Sequence, residues 1–65
     1  MKVDPNRHVR LSDAVEAAKR DAAEAKRMVY VRRAGVAYVT SLEILPEPGE
    51  RTIYGVTPDG VLQPY

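Results

Sequence analysis

Apolar residues first recur along the chain at helical spacing. Leu11, Val15, Ala18, Ala22, Ala25 and Val29 are separated by alternating steps of four and three, which places them on one stripe of a helix. The helix is predicted over Ser12 to Arg27. Ser12 stands where a hydroxyl accepts an N–H that the first turn leaves unpaired. Asp13 in that turn and Lys26 and Arg27 in the last match the helix dipole, and Glu16 and Arg20 form an i,i+4 pair in the favourable order. The stripe is mostly alanine. It offers little apolar area of its own, so it must lie close against something flat, and a sheet is the natural surface.

At Met28 the composition switches to β-branched and aromatic residues. Met28 to Arg33 reads as a strand, Ala34-Gly35 as a two-residue turn, and Val36 to Thr40 as the partner strand. In that register Arg33 faces Val36, Arg32 faces Ala37, Val31 faces Tyr38 and Tyr30 faces Val39. Val29, Val31, Val36 and Tyr38 then share one side, joined by Leu42 and Ile44 if the strand continues; Met28, Tyr30, Arg32, Ala37 and Val39 share the other. A bulge near Thr40 or Ser41 would reverse the two faces. Pro46-Glu47-Pro48-Gly49-Glu50 is a loop, and Arg51 to Val56 reads as a third strand in which Gly55 marks a bulge or a close backbone approach. Thr57-Pro58-Asp59-Gly60 has the pattern of a type I turn that sets Val56 against Val61. Val61-Leu62-Gln63 makes a short last strand, which Pro64 confines to an edge or ends.

The expected class is α+β: one N-terminal amphipathic helix packed on a three- or four-stranded antiparallel meander. Residues 12–65 form the domain, and residues 1–11 are an arm or a short extra strand, with a turn at Asp4-Pro5-Asn6. At 65 residues there is room for one domain, and a chain of this size buries only about 60% of the surface its unfolded form exposes. One helix covers one sheet face. Unless a second copy covers the other, Met28, Tyr30, Arg32, Ala37 and Val39 stay open, an apolar and aromatic patch beside an arginine of the kind found at interfaces.

Composition narrows the chemistry. With no cysteine and a single histidine, His8, neither a disulfide nor a His/Cys metal site is available. Ser12 is accounted for as a cap and Ser41 as a strand residue, so no activated nucleophile stands out. Asp13, Glu16, Asp21 and Glu24 lie off the apolar stripe as solvated groups, and no general acid/base pair is indicated. The glycines are scattered, so no phosphate-cradling loop exists. The expectation is a non-enzymatic protein without a cofactor. The apolar runs Met28 to Val31 and Val36 to Val39 are far short of the roughly 20 residues of a membrane span, and no signal segment is read at the start; the expected location is cytoplasmic.

Net charge is +1 but unevenly spread: residues 1–33 hold nine Lys/Arg against five Asp/Glu, residues 34–65 one against four. The function expected on these grounds is protein binding by a monomer or weak homodimer, the partner being another protein such as a nucleic-acid-processing complex. The candidate contact residues are Tyr30, Arg32 and Val39 on the open face and the acidic Glu43, Glu47, Glu50 and Asp59. Tyr54 and Tyr65 are further candidates by type, while Tyr38 is assigned to the core. Pairing of the last strand with a partner strand is a second mode. The alternative is a nucleic-acid-binding accessory protein gripping phosphates with Lys26, Arg27, Arg32 and Arg33; a small subunit or regulator of a cytosolic assembly is a third reading.

Residues 12–65, a single alanine-rich helix followed by short hairpins, resemble the small inhibitors of the anti-CRISPR kind that phages and mobile elements encode. Size and arrangement carry the resemblance; no motif does. It implies stoichiometric inhibition by occupying a surface of a CRISPR effector, without cofactor or turnover, with Glu43, Glu47, Glu50 and Asp59 competing for a basic nucleic-acid channel. The net positive charge departs from a strong nucleic-acid mimic.

Overall fold

A computed structural model describes residues 6–65; Asp4 and Pro5, placed above in a turn, lie outside them. Two residues, Arg7–His8 (β1), precede the helix Leu11–Ala25 (α1). Because Arg10 leaves β1 extended (φ −108°, ψ 139°), the helix starts one residue earlier than its serine suggests. Arg10 is the N-cap, its carbonyl takes the first helical bond from Ala14 N at 3.2 Å, and no side chain caps the end, so Ser12 is a first-turn residue. At the other end Lys26 adopts the left-handed conformation (φ 56°) and stops the helix, leaving Arg27 beyond it and no basic residue in the last turn.

The buried seam of α1 is Ala14, Ala17, Ala18 and Ala22, flanked by half-buried Leu11. It is rotated from the predicted stripe: Val15 is only half-buried and Ala25 is exposed. The smallest side chains take the line of closest approach, because a methyl group lets the helix backbone settle near the sheet and a branched Val15 would hold it away.

The remaining strands are Val29–Ala34 (β2), Ala37–Ser41 (β3), Glu50–Val56 (β4) and Leu62–Pro64 (β5). They form one antiparallel sheet in the order β1-β3-β2-β4-β5. One helix on an antiparallel sheet is thus the architecture, with β1 as the extra strand. Each neighbouring pair is antiparallel, so β1 and β2 run parallel with β3 between them, and α1 is their crossover. By the same geometry β3 and β4 are parallel and separated by β2, so this connection is not a hairpin and the order is not a simple meander.

The β2–β3 turn is Gly35-Val36, one residue later than predicted, with Ala34 opposite Ala37, Arg32 opposite Val39 and Val31 opposite Thr40. Gly35 takes φ +63° at the first central position while Val36 does not enter the left-handed region, which suits a hairpin with glycine leading. Moving the turn by one residue shifts the pairing by two, and an even shift keeps each strand side chain on its face. Val29 and Val31 therefore lie under α1 with Val56, and Tyr38 packs against them half-buried. Val36, expected on that face, sits in the turn and is 90% exposed. Leu42 and Ile44 also leave the sheet, because β3 ends at Ser41.

A bulge lies in β4, where Val31 faces Tyr54 but Arg32 faces Thr52. The extra residue, Ile53, packs with Tyr54 against the core. Gly55 is the close approach: a Cβ there would meet Met28 Cε at 2.6 Å and Tyr65 Cε2 at 2.8 Å. In the last hairpin Gly60 N donates to Thr57 O at 2.9 Å, as the type I turn requires. Gly60 itself (φ +86°) adds a residue to the turn, so Val56 faces Leu62 and not Val61. Thr57 N donates to Val61 O and Tyr65 N to Ile53 O, each at 3.0 Å. The alternation of ladder bonds then turns the nitrogen of Pro64 to the outer edge, where its missing N–H interrupts no bond to β4.

Replacing Gly55 by Ala should force Tyr65 off Tyr30, since a ring cannot yield as a methionine methyl can. Denaturant melts should show a loss of about 1–2 kcal/mol, and NMR should show the ring-current shifts of both tyrosines collapsing.

Candidate partner-binding loop

The topology dictates the course of residues 42–49. β3 ends beside Tyr30 and β4 starts beside Ala34, so the connection must travel the length of β2 while crossing it. Since α1 occupies one face, it takes the other. The face expected to lie open is thereby roofed along much of its length.

Three successive carbonyls of this crossover accept hydrogen bonds from side chains: Arg27 Nη2 donates to Leu42 O at 3.4 Å, Arg32 Nη2 to Glu43 O at 2.6 Å, and Thr52 Oγ1 to Ile44 O at 2.7 Å. Ser41 Oγ accepts from Glu43 N at 3.0 Å, and Glu50 Oε1 from Glu47 N at 3.2 Å. The backbone is held from beneath, while Leu42, Ile44 and Leu45 remain exposed, Leu45 by 78%. Bends are a ready place for such bonding, because carbonyls that would alternate in a strand can be turned to one side.

Arg32 is the centre of this arrangement. Its residue is only 6% exposed, and besides Glu43 O it meets the Glu50 carboxylate through Nη1 at 3.2 Å. A guanidinium withdrawn from water requires such partners. Its Nε has none, so even this site is incompletely satisfied. Both residues were expected to touch a partner; the structure places Arg32 inside the fold and commits Glu50 to it.

The other candidate residues divide. Glu43 and Glu47 are exposed on the crossover. Asp59 is exposed in the β4–β5 turn, apart from them. Val39 is half-buried, and Tyr30 stands edge-on to Tyr65 with centroids 5.9 Å apart. Lys26 and Arg27 lie beyond the helix end at the start of β2, whereas Arg33 lies near its finish, opposite Arg51. With Arg32 buried between, the proposed phosphate-gripping residues do not form one patch.

Sequence reasoning missed a second feature. A cleft of about 460 Å³ opens where α1 meets the end of β3, lined by Asp21, Glu24 and Ala25 of the helix region, by Asn6, and by Val29, Thr40, Ser41 and Leu42. Among the described residues no three His, Cys, Asp or Glu side chains converge on a metal position. No helix among them is long and apolar enough to cross a membrane. No protein-family model, curated protein or solved structure matches this chain.

Thr52→Val should remove one support of the loop at a cost of about 1 kcal/mol. Arg32→Ala, which strands Glu50 as well, should cost about 3 kcal/mol. Both should speed hydrogen exchange of the Glu43 and Glu47 amides more than that of β2, measurable by NMR.

Proposed function

We propose that this chain is a non-enzymatic protein-binding module that presents the crossover 42–49 to its partner. The observation that carries the reading is the bonding of three consecutive loop carbonyls by Arg27, Arg32 and Thr52, with Leu42, Ile44 and Leu45 left facing water. An unsupported loop loses conformational freedom when it binds; one already held in place loses less, and its apolar side chains contribute more of their burial to affinity. Three apolar side chains supply the central contact, and Glu43 and Glu47 beside them favour a partner with a basic rim.

Such a module acts by occupancy. The function that fits is a stoichiometric inhibitor of the anti-CRISPR kind, from a phage or mobile element, covering a surface of a CRISPR effector. Glu43 and Glu47 would then face the basic channel along which such a nucleic-acid-processing complex guides its substrate.

Capture from nuclease-treated bacterial lysate, compared between the wild type and Leu45→Asp, tests this reading. A discrete protein partner should survive nuclease, and its retention should fall at least about tenfold in the variant, as for an interface hot spot, while the melting temperature stays within error. If capture needs intact nucleic acid and is indifferent to Leu45, the loop is not the binding element and the exposed Lys26, Arg27 and Arg33 become the residues to test.

A further inference from the structure

We propose that the cleft between α1 and the end of β3 receives an arginine side chain of the partner protein. Asp21 and Glu24 stand one turn apart on the helix and both line the cleft. Like charges at that spacing repel, and neither is relieved: the Arg32–Glu50 pair is the single ion pair among the described residues. Arg27, just beyond the helix, reaches the Leu42 carbonyl and neither carboxylate.

The opposite wall carries the independent observation. Thr40 is only 5% exposed, yet it lines the cleft. Its backbone N–H is bonded to Asn6 O at 3.0 Å, while its hydroxyl takes no partner among the described residues. A buried hydroxyl left unpaired costs stability unless something enters to meet it.

The shape favours an organic cation over a metal ion. Two carboxylates fall short of the ligand set a metal needs, and about 460 Å³ is the volume of a small-ligand or side-chain site. A guanidinium presents five donors in one plane, enough to meet two carboxylates and a hydroxyl together. Val29, Ala25 and Leu42 provide apolar surface along which its methylene stem can lie. Leu42 belongs to both the cleft and the exposed crossover, so a partner seated on the loop is positioned to send a side chain into the cleft. In that adjacency the inference rests on the protein-binding reading.

The test needs no partner. N-acetyl-arginine methylamide and its neutral isostere, the citrulline analogue, are titrated into the isotopically labelled full chain and followed by NMR. The arginine probe should give saturable shifts confined to Asp21, Glu24, Thr40, Ser41 and Leu42, and the citrulline probe should bind at least about tenfold more weakly, because it lacks the charge-assisted bonds. Asp21→Asn with Glu24→Gln should abolish the difference between the probes while leaving the rest of the spectrum in place. The proposal is overturned if both probes act alike, if neither shifts the cleft, or if arginine perturbs Glu43, Glu47 and Asp59 equally, the pattern of diffuse charge attraction. A negative titration leaves the loop reading standing, since that reading is decided by Leu45→Asp.

Discussion

A chain that crosses over a sheet has to place a row of backbone amides and carbonyls somewhere, and here the arginine at the middle of β2 decides where. Arg32 points away from α1, into the face that the crossover must traverse, and its planar fork meets a carbonyl of the loop and the carboxylate at the loop's end at the same time. An apolar residue at that position would pack under the loop but leave its carbonyl to find water. A lysine would offer a point charge in place of a fork. The pairing of Arg32 with Glu50 thus connects the residue that closes the crossover to the central strand of the sheet. The exposed apolar side chains above owe their fixed arrangement to it.

The two faces of the sheet are covered by different physics. Beneath α1 the seam is alanine against valine, with Val29, Val31 and Val56 nearly inaccessible, and stability there comes from close contact over a small area. On the far face Met28, Tyr30 and Tyr65 gather over Gly55 at one end and a polar network carries the loop at the other. A domain of this length has too little interior for two apolar cores. Using a hydrogen-bonded roof for the second face resolves that constraint, and it leaves the loop's own apolar residues available for other contacts.

How much of this could be read from the residues follows from what each element's pattern depends on. The helix and the two central strands were legible, because a period in the sequence reports a face, and the error in the Gly35-Val36 turn was an even shift that preserved those faces. The Gly60 residue of the last turn produced an odd shift and moved the partner of Val56, since local turn patterns do not say whether the glycine counts inside or after the turn. The crossover was illegible. Nothing in Leu42-Glu43-Ile44-Leu45 distinguishes a strand that continues from a segment that leaves the sheet, and that choice depends on β4 preferring β2 over β3 as its neighbour. The roles of Arg32 and Glu50 followed from that choice. So did the cleft, whose walls come from residues that read as a solvated helix side and an ordinary strand end.

The outward nitrogen of Pro64 has a consequence for the molecule as a population. A sheet grows by adding strands at its margins, and each addition needs a row of donors and acceptors on the last strand. One margin here is only the two residues of β1, and the other lacks a donor where Pro64 stands. The sheet therefore offers little template for copies of itself, even though the same chain displays Leu42, Ile44 and Leu45 to solvent. A protein that works by occupancy must accumulate to the concentration of its target, and margins that refuse further strands allow a sticky surface to be carried at that concentration without clotting.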